Sequence, residues 1–192
     1  MHKLTFITSN RGKFEELRAR LDQVGIDSAQ KQLRYPEVQA NSLLEVTEAA
    51  MGWLAAQDQK GPYVIEDSGL FIDDLRGFPG VFSAHAFATI GIAGILALLE
   101  DRTRRDARFE SCIGYCDKEG NVSFFVGACH GTIALAPKGD QGFGFDPVFK
   151  PEGSDRTFGQ MDCKEKTSQS HRGMAVDRLV NHLLGDRHAD TP

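Results

Sequence analysis

Alternation of strand-like and helix-like segments at the start of the chain is the feature that most limits how it can fold. The run KLTFIT (residues 3–8) is rich in β-formers, and Phe14, Leu17 and Leu21 then recur at helical spacing before a glycine. A second helical pattern follows a cap at Asn41 or Ser42, and PYVIED (62–67) is the next strand. Two such units predict an α/β fold with a central mixed, largely parallel sheet flanked by helices.

The character of the chain changes near residue 105. Two long apolar stretches surround the turn DKEGN (117–121), which predicts an antiparallel hairpin within about 105–140. We expect this hairpin to belong to a second lobe, with a cleft between the two lobes. The chain is then a single domain of residues 1–185 followed by a flexible tail at 186–192.

Charge limits the class of ligand that the chain can bind. It carries 27 acidic and 22 basic side chains, for a net charge of −5, so it has no general basic surface for nucleic acid. A local cluster binding a small anionic ligand is favoured instead. No apolar run suits a membrane span or a secretory signal, so we expect a cytoplasmic protein whose four cysteines are reduced.

The stretch TSNRGK (8–13) stands where the first strand gives way to the first helix. A helix N-terminus presents unpaired N–H groups and a positive dipole end, so a phosphate fits here. Lys13 in the first turn opposes the dipole unless an anion is bound. The alternative is that Ser9 or Asn10 merely caps the helix and Lys13 is solvated, because the Gly-Lys-Ser/Thr ending of a P-loop is absent.

The stretch YVIEDSGL (63–70) predicts a strand that ends in two carboxylates, with a turn at Ser68 and Gly69. Neighbouring side chains of a strand diverge, so only one of Glu66 and Asp67 can readily point into a given site. Mg²⁺ takes one or two carboxylates together with substrate oxygens, and Glu37 in the loop RYPEVQAN offers a second ligand. The alternative is an acidic pair that serves only solubility.

Two later stretches also contain side chains that are suited to binding a ligand. Phe143 and Phe145 alternate with glycines in GFGFDPVF (142–149), which suits either a close-packed core or a planar ligand on an aromatic face. KTSQSHRGMA (166–175) places Lys166, His171 and Arg172 at the start of the last helix. In an acidic chain this positive cluster suits a phosphate or a polarised carbonyl, and a solvated surface patch is the alternative.

Taken in order, TSNRGK, an acidic PE loop, EDSGL, FPGVFSA, GFGFDPVF and SHRGMA resemble the inosine triphosphate pyrophosphatase family. These are house-cleaning enzymes that hydrolyse non-canonical purine nucleoside triphosphates, and the resemblance runs from about residue 3 to residue 184. It implies hydrolysis of ITP, dITP and XTP to the monophosphate and pyrophosphate by water attack at the α-phosphorus. It also implies Mg²⁺ as cofactor, with Mn²⁺ as an alternative, and a homodimer.

The resemblance further implies roles for the matching residues. Glu37 and Asp67 match the metal-site acids, and Asp67 also matches the residue proposed as general base. The implied substrate-binding positions are Thr8, Ser9, Asn10, Lys13, Ser68, Phe143, Gly144, Phe145, Asp146, Lys166, His171 and Arg172. As an obligate donor, Arg172 would bond the C6 oxygen of hypoxanthine or xanthine and be left unpaired by the amino group of adenine.

Two departures from the family pattern leave alternatives open. The helix that precedes EDSG, TEAAMGWLAA (47–56), lacks a lysine that is common in the family, and Ser83-Ala84-His85 stands where Ser-Ala-Arg is frequent. Both departures reduce positive charge near the site. The alternatives are a catalytically weak nucleotide-binding or sensing module and a pyrophosphatase for modified pyrimidine nucleotides.

Overall fold

The computed structural model describes residues 3–189 and, of these, the side chains up to residue 185. The strands are β1 (Leu4–Ile7), β2 (Ser28–Lys31), β3 (Tyr63–Ile72), β4 (Pro79–Gly80), β5 (Asp106–Cys116), β6 (Val122–Ile133) and β7 (Phe149–Pro151). The α-helices are α1 (Arg11–Gln23), α2 (Leu43–Ala56), α3 (Ser83–Thr89), α4 (Gly91–Leu98), α5 (Cys163–Gln169) and α6 (His171–Ala189). None of the helices in this part of the chain is both long and apolar enough to cross a membrane.

All seven strands belong to one sheet in the order β2-β1-β3-β5-β6-β7, with β4 paired to β3. Strand β1 pairs in parallel with β2 and β3, and the remaining pairings are antiparallel. The predicted mixed α/β fold is confirmed, with its parallel pairings confined to the three N-terminal strands.

The hairpin expected within about 105–140 is formed by β5 and β6. Because β5 also pairs with β3, from Tyr63 opposite Cys116 to Ile72 opposite Ala107, the hairpin extends the central sheet rather than forming a sheet of its own. Its far half packs a separate hydrophobic cluster that includes Phe109.

Helices cover both faces of the N-terminal half of the sheet. Val64 belongs to a cluster with Leu17 of α1 and Val176 of α6, whereas Ile65 belongs to a cluster with Met51 of α2. Adjacent strand residues face opposite sides, so this division places α1 and α6 on one face and α2 on the other.

Side chains cap the first two helices within the positions that the sequence indicated. Asn10 Oδ1 accepts the amide N–H of Lys13 at 3.1 Å and so caps α1. Ser42 Oγ accepts the amide N–H of Glu45 at 3.2 Å and caps α2. Each cap satisfies one of the N–H groups that have no partner inside the helix.

The predicted end of a strand at Asp67 is wrong. Strand β3 continues without a turn to Ile72, because β5 pairs along its whole length. Gly69 allows the neighbouring segment to approach, since a Cβ atom there would lie 2.3 Å from the carbonyl oxygen of Gly80 in β4.

The placement of Lys166 on the last helix is also wrong. Lys166 lies on the separate short helix α5, and the extended backbone of Ser170 divides α5 from α6. Ser170 Oγ accepts the amide N–H of Gly173 at 3.1 Å. Residues 186–189 of the predicted tail continue α6, and residues 190–192 lie outside the described residues.

Candidate active site

A cleft of about 940 Å³ gathers residues from distant parts of the chain. It is bounded by the start of α1, the loop before α2, the middle of β3, the start of α3, the loop before β7 and the α5–α6 junction. Every predicted site residue lines it: Thr8, Ser9, Asn10, Lys13, Glu37, Asp67, Ser68, Phe143, Gly144, Phe145, Asp146, Lys166, His171 and Arg172. A second, more open groove of about 670 Å³ lies at the outer strands and contains none of these residues.

Lys13 joins the two neighbouring carboxylates of β3. Its Nζ lies 2.9 Å from Glu66 Oε2 and 3.8 Å from Asp67 Oδ1. The Glu66 Oε2 contact is an ion pair outside good hydrogen-bond geometry, and Lys13 donates instead to the backbone oxygen of Glu66 at 3.3 Å. Both acids line the cleft although only one was expected to point into it, and the long side chain of Lys13 reaches both.

Glu66 is not a solubility residue, since only 3% of it is exposed. Its Oε1 accepts the hydroxyl of Ser111 at 2.6 Å and the Nε–H of Arg172 at 3.1 Å. Burial alone would raise the pKa of Glu66, but Arg172 and Lys13 hold that pKa well below its usual value. The carboxylate therefore remains charged.

Arg172 is held between two buried carboxylates. One of its terminal nitrogens donates to Glu16 on α1, its Nε donates to Glu66, and its Nη2 donates to Ser68 Oγ at 3.0 Å. The side chain of Glu16 in turn accepts a hydrogen bond from Lys166 Nζ at 2.7 Å. The guanidinium is thus fixed in position, with two of its five N–H groups left for other partners.

These contacts form one buried chain of alternating charge across the cleft. Lys166 Nζ also lies 2.6 Å from Asp146 Oδ2, which completes the chain at its second end. In order, the members are Lys13, Glu66, Arg172, Glu16, Lys166 and Asp146. Three cations alternate with three anions, so each buried charge has an opposite neighbour.

Asp146 organises the loop that carries the aromatic ring. Its Oδ2 accepts the amide N–H of Phe143 at 2.7 Å. The cations of Lys166 and Arg172 lie 4.8 and 5.4 Å from the centroid of the Phe143 ring, within cation–π range. Phe145 reaches the cleft wall but is only 3% exposed and packs edge-to-face on Phe87 with centroids 5.3 Å apart.

His171 does not add a third positive charge to the cluster predicted around Arg172. It is buried, and its ring stacks on Phe109 with centroids 4.7 Å apart. Burial and the nearby charges of Arg172 and Lys166 lower the pKa of His171 well below its usual value, so the imidazole is neutral.

Asp67 belongs to an acidic group with Glu37 and Glu66. Burial raises the pKa of Asp67, Lys13 opposes that rise, and the charges of Glu66 and Glu37 add to it. Both neighbouring acids are thus close enough to Asp67 to influence its ionisation. The structure places the loop residue Glu37 on the same side of the molecule as Asp67, lining the same cleft.

This acidic group fits a hard divalent cation that shares its ligands with a substrate. Carboxylate oxygens suit Mg²⁺, and the buried Glu66 Oε2, although 2.9 Å from Lys13 Nζ, accepts no hydrogen bond in good geometry from the side chains described up to residue 185. In that part of the chain, no three His, Cys, Asp or Glu side chains are placed to hold a metal by themselves. Any ion here would therefore need oxygens from substrate and water.

Sequence reasoning missed Glu16 and assigned no role to Glu66. Glu16 follows Lys13 by three positions on α1, so helical periodicity places the two side chains on neighbouring parts of one face. Its position next to the apolar Leu17, which is buried, is the local feature that could have indicated a buried position for Glu16. The sequence places Glu66 next to Asp67, but it does not show that the partner of Glu66 is Arg172 on α6.

Comparisons with known proteins identify the family to which the chain belongs. The model of the Ham1 family matches residues 4–182. The chain is 48% identical over 181 residues to the dITP/XTP pyrophosphatase of Thermococcus kodakarensis, covering 94% of this chain and 97% of that protein. It is 46% identical over 179 residues to the dITP/XTP pyrophosphatase of Methanopyrus kandleri, covering 93% and 94%. The solved structure of the Staphylococcus aureus Ham1 protein superposes with a TM-score of 0.81 at 25% identity, covering 96% of this chain and 100% of that one.

Proposed function

Since the chain belongs to the Ham1 family, we propose that it is a nucleoside triphosphate pyrophosphatase acting on non-canonical purine nucleotides. Its substrates would be ITP, dITP and XTP, and its products the nucleoside monophosphate and pyrophosphate. The activity would remove these nucleotides from the cytoplasmic pool.

The observation that carries this proposal is the chain of paired charges running across one cleft. Its Lys13 end lies beside the acidic group of Glu66 and Asp67, where a metal-bound polyphosphate fits. Its Lys166 end lies beside the exposed edge of the Phe143 loop, where a planar base fits. Both ends line the same cleft, so a nucleotide lying along it would contact both.

The reaction requires an oriented water and little covalent chemistry. Water attacks the α-phosphorus, a new P–O bond forms, the bond to the pyrophosphate oxygen breaks, and the water loses a proton. Asp67 lines the cleft beside Lys13, where it is suited to orient that water and accept its proton. Lys13 is placed to stabilise charge on the phosphates.

Glu37 and Asp67 would hold Mg²⁺, with Glu66 next to them. When bound, the ion would neutralise charge on the polyphosphate and polarise it for attack. Mn²⁺ has similar ligand preferences and is the alternative cofactor.

Base selection would depend on Arg172. Its charge is permanent, so its N–H groups can only donate, and the carboxylates of Glu16 and Glu66 fix the plane of the guanidinium. The C6 oxygen of hypoxanthine or xanthine accepts such a donor, whereas the C6 amino group of adenine leaves it unpaired.

One observation favours a second candidate. Helix α2 contributes no lysine or arginine, and Lys13, Lys166 and Arg172 already have carboxylate partners. A site with so little unpaired positive charge would suit a nucleotide-sensing module that binds without rapid turnover. Pyrophosphate release in the presence of Mg²⁺ separates the two, because binding without release supports the sensor.

The experiment that best tests the substrate class compares turnover of inosine, xanthosine, deoxyuridine and methylated pyrimidine triphosphates. Faster turnover of the inosine and xanthosine nucleotides supports the proposal. Preference for the pyrimidines supports a related pyrophosphatase for modified pyrimidine nucleotides. A homodimer is a further part of the proposal, carried by the family resemblance and tested by light scattering after gel filtration.

A further inference from the structure

Arg34 differs from the other cations that line the cleft. Lys13, Lys166 and Arg172 each contact at least one carboxylate. Arg34 is exposed at the cleft wall, and among the side chains described, up to residue 185, it has no ion-pair or hydrogen-bond partner. It is therefore the one lysine or arginine of the cleft lining, among the described residues, whose charge is not already neutralised.

The loop that carries Arg34 is anchored on both sides of it. Leu33 and Tyr35 are partly buried and pack on the hydrophobic cluster between the sheet and α2. This packing fixes the backbone at Arg34 while leaving its own side chain in solvent. A fixed backbone with a free guanidinium suits recognition of a ligand better than a mobile surface arginine would.

The position of Arg34 along the cleft is set by its neighbours. Glu37 follows on the same loop. Burial and the nearby charges of Asp67, Glu66 and Glu37 raise the pKa of the adjacent Tyr35 hydroxyl. Arg34 thus lies on the acidic side of the cleft. The Phe143 loop and Lys166 occupy the opposite end of the charge chain.

Negative side chains outnumber positive ones on this side of the cleft. Three carboxylates lie together here, those of Asp67, Glu66 and Glu37, and Lys13 is shared between Glu66 and Asp67. A polyphosphate brings several more negative charges, and a guanidinium binds phosphate oxygens in a bidentate geometry that an ammonium cannot match.

We propose that Arg34 is a further substrate-binding residue that contacts the terminal phosphates of the nucleoside triphosphate. The inference rests on the proposed function and adds a residue to it. Arg34 acts on the binding of the polyphosphate and the departing pyrophosphate, not on recognition of the base.

The test measures binding by calorimetry with inorganic tripolyphosphate and with dIMP, in buffer containing Mg²⁺, for the wild type, Arg34→Ala, Arg34→Lys and Arg102→Ala. Arg102 is a matched control because it is an exposed arginine outside the cleft whose side chain makes no ion pair or hydrogen bond in the described part of the chain. Turnover of dITP is measured on the same preparations.

Arg34→Ala should weaken tripolyphosphate binding about tenfold while leaving dIMP binding unchanged, and Arg34→Lys should lie in between. Arg102→Ala should match the wild type for both ligands. The KM for dITP should rise in Arg34→Ala with little change in kcat, because this contact forms before the chemical step.

Tripolyphosphate affinity that is equal in Arg34→Ala and the wild type overturns the inference. So does an equal loss of dIMP affinity, or a wild type that does not bind tripolyphosphate. Absence of dITP turnover by the wild type overturns the proposed function instead, and the tripolyphosphate measurement still decides the role of Arg34.

Discussion

Glu66 and Arg172 are 106 residues apart in the sequence, yet the Nε–H of Arg172 donates to Glu66 Oε1 over 3.1 Å in a buried contact. This ion pair connects the middle of the sheet to the start of the last helix. Through Lys13 on one side and Glu16 on the other, it links the acidic end of the cleft to the aromatic end.

Glu16→Gln should lower the free energy of unfolding by about 3 kcal/mol, because it leaves Lys166 and Arg172 with one buried counter-charge fewer. Glu15→Gln is the matched control, since Glu15 is adjacent on α1 and its pair with Arg11 is exposed. That control should change stability by less than about 0.5 kcal/mol. Urea unfolding of both variants measures the difference, and equal effects would show that the buried chain of charge does not stabilise the fold.

The destabilisation caused by Glu16→Gln should depend on pH. Burial opposes ionisation of Glu16, but Arg172 and Lys166 lower the pKa of this carboxyl below its usual value of 4.5 in the folded state. The stabilising charge is therefore fully present above pH 4.5 and is lost as the pH falls through the lower folded-state pKa. Unfolding curves between neutral and acidic pH should converge for wild type and variant, and a gap that stays constant would contradict the assignment.

Arg172→Ala should lose discrimination between inosine and adenosine triphosphates as well as rate. The ratio of kcat/KM values should fall by at least about tenfold, because adenine no longer leaves a fixed donor unpaired. Arg178→Ala, an exposed residue on the same helix, serves as the control. Equal loss of activity on both nucleotides would contradict a role in base selection.

Asp67→Asn should reduce kcat by roughly 10²- to 10⁴-fold while making the protein more stable at neutral pH. Burial and the neighbouring acids raise the pKa of Asp67 above its unfolded-state value despite Lys13, so its charged form costs stability. That cost is present at pH values above the folded-state pKa and disappears as the pH falls below the unfolded-state value. Thermal unfolding and pyrophosphate release measure the two effects, and a variant that is less stable at neutral pH would argue against the crowding of charge at Asp67.

Local sequence signals predicted the parts of the structure that depend on local physics. Asn10 and Ser42 cap helices because the cap is made within three residues. The mixed α/β fold followed from the period of the apolar residues in the first two units. The convergence of the motifs on one cleft followed from the resemblance, because single motifs such as TSNRGK or GFGFDPVF also suit ordinary capping and packing.

Features that depend on distant partners could not be predicted in the same way. Strand β3 continues past Asp67 because β5 pairs with it, and no residue near Ser68 encodes that partner. His171 is neutral because the fold buries it against Phe109, whereas the sequence alone suggests a third positive charge. The sequence does not distinguish Glu16 from an ordinary exposed acid on a helix. Its buried position depends on Lys166 of α5 and Arg172 of α6, which pair with it.

The stoichiometry of the products formed from dITP in the presence of Mg²⁺ decides whether water attacks the α-phosphorus in this cleft. Chromatography of the nucleotide products and an assay that distinguishes pyrophosphate from orthophosphate should give one dIMP and one pyrophosphate for each dITP consumed. Release of orthophosphate with dIDP, or binding of dITP without any hydrolysis, would contradict the proposed attack at the α-phosphorus and with it the assignment of this cleft.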